Sequence, residues 1–78
     1  MLIQMETPQF NSEHLIKLAN MRMPYGKFKG RYLVDLPEHY LVWYKQKGFP
    51  KGQLGDMLNE IYEIQLNGLE PLIRKLIK

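Results

Sequence analysis

Cysteine is absent from the 78-residue chain. That excludes disulfides, thiolate metal sites and cysteine nucleophiles. Hydroxyl nucleophiles are scarce as well: Ser12 is the one serine and Thr7 the one threonine, both near the N-terminus. A Ser-His-Asp site has nothing to recommend it. The two histidines, His14 and His39, stand far apart without ligand-spaced neighbours, so no metal or cofactor is expected. No apolar run approaches the roughly 18 residues of a membrane span. The opening MLIQMETPQF has no basic n-region and carries Glu6 and Pro8 early, unlike a signal peptide. A secreted domain this short would usually need disulfide staples. The expectation is a cytoplasmic protein with no membrane partner.

What is present fits one small folded domain spanning residues 1–78. Hydrophobic residues make up 45% of the chain and charged residues 24%, an ordinary globular balance. The net charge of +3 is modest, but its distribution is uneven. Between Arg22 and Lys51 seven cations face only two acids, Asp35 and Glu38. The rest of the chain is net acidic. One basic surface for an anionic partner is one reading, and a set of solvated lysines is the other.

Helical periodicity dominates. Asn11 to Arg22 reads as a helix with Ser12 near its start and Leu15, Leu18 and Ala19 on a buried face. Phe10 or Met5 can pack back on that face. Pro24 then stops the helix. Tyr25, Phe28, Tyr32, Leu33 and Val34 favour strands, and Gly26 and Gly30 bracket Lys27-Phe28-Lys29. The expectation is a short β-hairpin over residues 23–34, with its tip within Gly26 to Gly30. Asp35-Leu36-Pro37-Glu38 reads as a helix start with Asp35 as N-cap. That second helix runs to about Lys47, with Gly48 as terminator. A third covers about Gln53 to Asn67, carrying Leu54, Met57, Leu58 and Ile61 at helical spacing. A fourth covers Leu69 to Ile77, with Leu69, Leu72, Ile73, Leu76 and Ile77 on one face. The predicted class is α+β, mostly helical with about four helices and one hairpin.

GKFKG is not a phosphate-binding P-loop, because no Ser or Thr follows its lysines and no nucleotide-binding sheet fits in this length. A basic tip that contacts nucleic acid is the sharper reading. Lys27, Lys29 and Arg31 would meet phosphates, helped by Lys45, Lys47 and Lys51. Tyr25, Phe28 and Trp43 would stack on bases or simply hold the hairpin in place. His14 is expected on a helix surface and His39 in the first turn after Pro37. Asp56, Glu60 and Glu63 share a helix face that usually only meets water.

From Met21 to Leu72 the chain resembles a family of short bacterial proteins labelled putative quorum-sensing-regulated virulence factors. The residues that carry the resemblance are Met23-Pro24-Tyr25-Gly26-Lys27-Phe28-Lys29-Gly30, Asp35-Leu36-Pro37, Tyr40-Leu41, Trp43, Gly48-Phe49-Pro50, and Tyr62-Glu63 through Asn67-Gly68-Leu69. The family label names a physiology and no biochemical activity. The first half of the motif also resembles a small module at the C-terminal end of some proofreading-type 3′–5′ exonucleases. That resemblance implies an accessory, nucleic-acid-contacting role and carries over no catalytic residue.

Two functions follow as expectations. One is a non-enzymatic nucleic-acid-binding module. The other is a protein-interaction or regulatory module, homodimeric through the helices near 53–67 and 69–77, in which the basic motif is architectural. An independent enzyme is not expected, because no paired base and nucleophile is present.

Overall fold

A computed structural model describes residues 12–78. The expected packing of Met5 or Phe10 lies outside the described residues. Four helices follow one another: α1 (Ser12–Asn20), α2 (Glu38–Lys47), α3 (Gln53–Leu66) and α4 (Glu70–Arg74). A 3₁₀ turn at Leu33–Asp35 sits between α1 and α2. It packs against α1, α3 and α4, and α3 packs also on α2 and α4.

The core explains this arrangement. Met57, Leu58 and Ile61 of α3 are fully buried, as are Leu18 and Ala19 of α1 and Leu41 of α2. Met23, Leu33, Val34 and Leu36 join them from the connection between α1 and α2. Each such aliphatic side chain removed from water contributes about 1.5–3 kcal/mol before entropy is counted. The chain between the helices is therefore part of the core.

The predicted α+β class is wrong: the described residues contain no β-strand. Segment 23–34 forms a looped connection closed by one isolated antiparallel bridge, Arg22 to Tyr32. Met23 N–H donates to Arg31 O at 2.8 Å, and Gly30 N–H donates to Met23 O at 2.8 Å. On the far side of the bridge Leu33 N–H donates to Met21 O at 3.0 Å, and the pairing goes no further. On one side Pro24 has no N–H to give a ladder. On the other, the strand-favouring run Tyr32-Leu33-Val34 curls, with Asp35 N–H bonding Tyr32 O at 3.0 Å. Burial decides the matter. Leu33 and Val34 are neighbours and both are fully buried. In a strand they would point to opposite faces, and one would meet water. A helical turn sends both inward.

Within the loop, two tight turns make the tip: Lys29 N–H to Gly26 O at 3.2 Å and Arg31 N–H to Phe28 O at 3.1 Å. Gly26 and Gly30 flank them with φ of 83° and 91°, a region other residues avoid. Arg22 supports the loop, its guanidinium donating to Gly30 O and to the Tyr32 hydroxyl, both at 3.0 Å.

Two further expectations change. Pro37, not Asp35, occupies the N-cap of α2, and no side chain caps it. Asp35 belongs to the 3₁₀ turn, and its carboxylate accepts from the Arg74 guanidinium of α4. The fourth helix is also shorter than periodicity predicts. Ile73 is buried, but Leu69 and Leu72 remain 46% and 58% exposed. The chain beyond α4 continues in single turns and is held by Asn20. Its side-chain amide donates to Leu76 O at 3.0 Å and accepts from Lys78 N–H at 2.9 Å.

Candidate nucleic-acid interface

The basic motif and α2 meet through aromatic rings. Phe28, at the loop tip, lies edge-on to Tyr40 with ring centres 4.8 Å apart. Tyr40 meets Tyr44 one turn later, at 5.1 Å, also edge-on. The i, i+4 spacing on α2 places these two rings on one face. Tyr44 in turn touches Trp43 at 5.0 Å and stacks near Phe49 at 6.1 Å. Phe49 reaches Tyr62 of α3 at 6.4 Å. Edge-to-face contacts at these separations match the ring quadrupoles and add about 0.5–1.5 kcal/mol each. The loop is thereby fastened to α2 by rings, where a hairpin would have used a backbone ladder.

Tyr25 joins the same cluster. Hydrogen bonding with Tyr40 holds the Tyr44 hydroxyl above its ordinary pKa. Burial adds to that, and a hydrogen bond with Tyr25 pulls the other way. Three phenol groups thus gather at one point. Tyr25 and Trp43 are each 47% exposed, whereas Phe28, Tyr40 and Tyr44 are partly buried.

Cations sit at the edges of this aromatic surface. Lys27 Nζ and the Arg31 guanidinium lie 5.6 and 5.3 Å from the Phe28 ring centre. Both are cation–π distances. Arg31 also donates to Asp35 O at 3.3 Å. Lys29 is exposed on the tip. Lys45 Nζ stands 5.7 Å from the Tyr62 ring centre, at the far end of the aromatic chain. Lys47, in the last turn of α2, and Lys51, in the turn before α3, are exposed.

Of the expected site residues, Tyr25, Phe28, Trp43, Lys27 and Arg31 come together around Tyr40 and Tyr44. Lys45 is joined to them only through the ring chain. Tyr40 and Tyr44 were not among the expected site residues. Their signal was the i, i+4 spacing on α2, which reads equally as a core face. Arg22, counted among the clustered cations, is committed to the loop backbone and to Tyr32, whose ring its guanidinium covers at 4.3 Å.

One polar pair joins α1 and α3. His14 is half-buried, and its Nε2 donates to Glu60 Oε2 at 2.8 Å, tying α1 to α3. Asp56 and Glu63 are exposed, so the acidic row divides between a helix contact and solvent. His39 is exposed in the first turn of α2.

No helix among the described residues is long and apolar enough to cross a membrane. No solved structure matches the chain. The chain is 48% identical over 65 residues to "Uncharacterized protein YpeB" of Escherichia coli K12 and, equally, of Escherichia coli O157:H7. That alignment covers 82% of this chain and 90% of each relative. Neither match supports the partial resemblance to an exonuclease module. The family model described as "Putative quorum-sensing-regulated virulence factor" matches residues 11–76, and the chain belongs to that family.

Proposed function

We propose that the protein is a non-enzymatic module that binds nucleic acid through the loop 23–32 and the adjoining face of α2. One observation carries the reading. Folding brings two half-exposed residues, Trp43 against the Tyr44 ring and Tyr25 near its hydroxyl, into one aromatic cluster and sets Lys27 and Arg31 over Phe28 at its edge. Cations of this kind neutralise phosphates, and the release of condensed counterions makes affinity fall with salt. The tip is held by two backbone turns and by ring contacts, and Lys27, which meets the neighbouring Phe28 ring, and Lys29 are both exposed to a partner.

Fluorescence anisotropy with labelled DNA and RNA, at low and moderate salt, tests this. Binding should weaken steeply as salt rises. Lys27→Glu/Lys29→Glu should abolish it while leaving the helical circular dichroism unchanged. Undiminished binding by the double variant, or none by the unmodified protein at low salt, would overturn the proposal.

A second reading, association of two copies through α3 and α4, is favoured by three exposed leucines. Leu66, Leu69 and Leu72 are 59%, 46% and 58% exposed. Leu69 and Leu72 border an apolar depression with Leu15, Ile64 and Leu76 between α1, α3 and α4. Symmetric pairing is the commonest way to cover such a face. A monomer in sedimentation at all concentrations would exclude it.

A further inference from the structure

The two half-exposed rings carry an inference about which nucleic acid is bound, and it rests on the nucleic-acid reading above. Tyr25 and Trp43 come from different elements, a bend after Pro24 and the middle of α2. Both lie at one group of phenols. Tyr44 meets the Trp43 ring edge-on at 5.0 Å. From the loop, Gly26, the residue after Tyr25, lies against the Tyr40 hydroxyl, which a Cβ there would approach to 3.7 Å, and a hydrogen bond with Tyr25 draws the Tyr44 hydroxyl pKa down. Tyr44 is itself braced by Tyr40 on one side and Phe49 on the other. Trp43 therefore packs edge-on against a braced ring while staying half exposed, and Tyr25 stays half exposed beside the same phenols. A ring oriented before binding loses little freedom on binding.

Contact with phosphate alone needs no aromatic surface. Lys27 and Arg31 lie over Phe28, at the loop end of the ring chain that Trp43 joins through Tyr44. Cations and exposed rings on one chain match a partner that offers negative charge and flat π faces together. In a duplex the base faces are stacked on one another and are out of reach. In a single strand they are available, and stacking on aromatic side chains is the usual means of holding them. We infer that Tyr25 and Trp43 form a stacking platform for unpaired bases, so the module prefers single-stranded nucleic acid, with Tyr44 as the positioning residue.

Trp43 is the one tryptophan in the chain, so its emission reports on this site directly. The probes are a short oligodeoxyuridylate, an oligouridylate of the same length, and a blunt DNA duplex of equal phosphate count. Both single strands should quench Trp43 emission, and the tighter of the two identifies the preferred sugar. The duplex should bind more weakly and leave the emission unchanged. By anisotropy, Trp43→Ala should bind the preferred strand roughly five- to hundredfold more weakly. Trp43→Phe, which keeps a ring, should recover most of the loss. The salt slope should stay as in the unmodified protein, because the phosphate contacts remain. Trp43 is half exposed, so these changes leave the core filled, and circular dichroism checks the fold. Equal affinity for duplex and single strand, or an unaffected Trp43→Ala, would overturn the platform. If binding is still lost in Lys27→Glu/Lys29→Glu, the nucleic-acid reading survives that failure. Absence of binding to all three probes would overturn both.

Discussion

At the scale of the residue, Gly55 is the most constrained position. It lies near the start of α3, where glycine ordinarily costs about 1 kcal/mol relative to alanine. Here a Cβ would stand 1.6 Å from the carbonyl oxygen of Pro50. The turn before α3 lies directly on the helix, and only a missing side chain permits that approach. Because the obstacle is backbone, the clash outweighs the gain in propensity. Gly55→Ala is expected to destabilise the fold by about 1–3 kcal/mol, read as a lower denaturation midpoint in urea. An unchanged or higher midpoint would show that the turn moves aside freely. Nothing in the local sequence marks this glycine, since the helical pattern of Leu54, Met57 and Leu58 continues through it. Tyr44 is similar. Its spacing from Tyr40 was legible, but its place beside Tyr25 and Trp43 depends on where the loop comes to rest.

At the scale of the element, the Asp-Leu-Pro-Glu stretch satisfied every rule for a capped helix start, yet Asp35 caps nothing. The reason lies in its neighbours. Leu33, Val34 and Leu36 all enter the core, and a 3₁₀ turn is the local conformation that admits them. The turn's outward carbonyls then need donors from elsewhere. Gln65 of α3 bonds Leu36 O at 2.9 Å, and Arg74 of α4 takes the Asp35 carboxylate. The Arg74 and Asp35 side chains are 47% and 33% exposed, so solvent screens the pair. Its expected coupling is at most about 1 kcal/mol. In a double-mutant cycle, Asp35→Ala should cost little once Arg74→Ala is in place, and the coupling should shrink in high salt. A cost that persists in the Arg74→Ala background would return Asp35 to the capping role. The same turn accounts for the missing hairpin, because the residues that would have formed its second arm are withdrawn into the core.

At the scale of the whole molecule, the basic loop and the exposed leucines fall on different parts of the fold. The cations of the loop and α2 border the aromatic cluster, whereas α3 carries Asp56, Glu60 and Glu63 and ends at the exposed Leu66, followed by the exposed Leu69 and Leu72. A domain this small has little core to spare, so any further burial matters to its stability. If two copies pair through α3 and α4, the thermal midpoint should rise with protein concentration by mass action. Leu69→Lys/Leu72→Lys should remove that dependence without unfolding the monomer. A midpoint independent of concentration would count against pairing and leave the basic face as the functional surface.

The sequence by itself determined the number of helices and their approximate places, the stop at Gly48, and the concentration of cations between Arg22 and Lys51. These are local properties of periodicity, φ restriction and composition, and they do not depend on distant contacts. The first helix ends at Asn20, short of the Arg22 that the pattern before Pro24 predicted, because Arg22 pairs with Tyr32. Tertiary structure alone decided that Tyr32-Leu33-Val34 curls instead of extending, that Asp35 serves Arg74, and that Leu69 and Leu72 stay outside the core. It also decided that Tyr25 and Trp43 both lie at Tyr44. Each of these follows from competition for one small interior: burial of adjacent side chains outweighs strand propensity, and the chain bends to whatever shape lets them in.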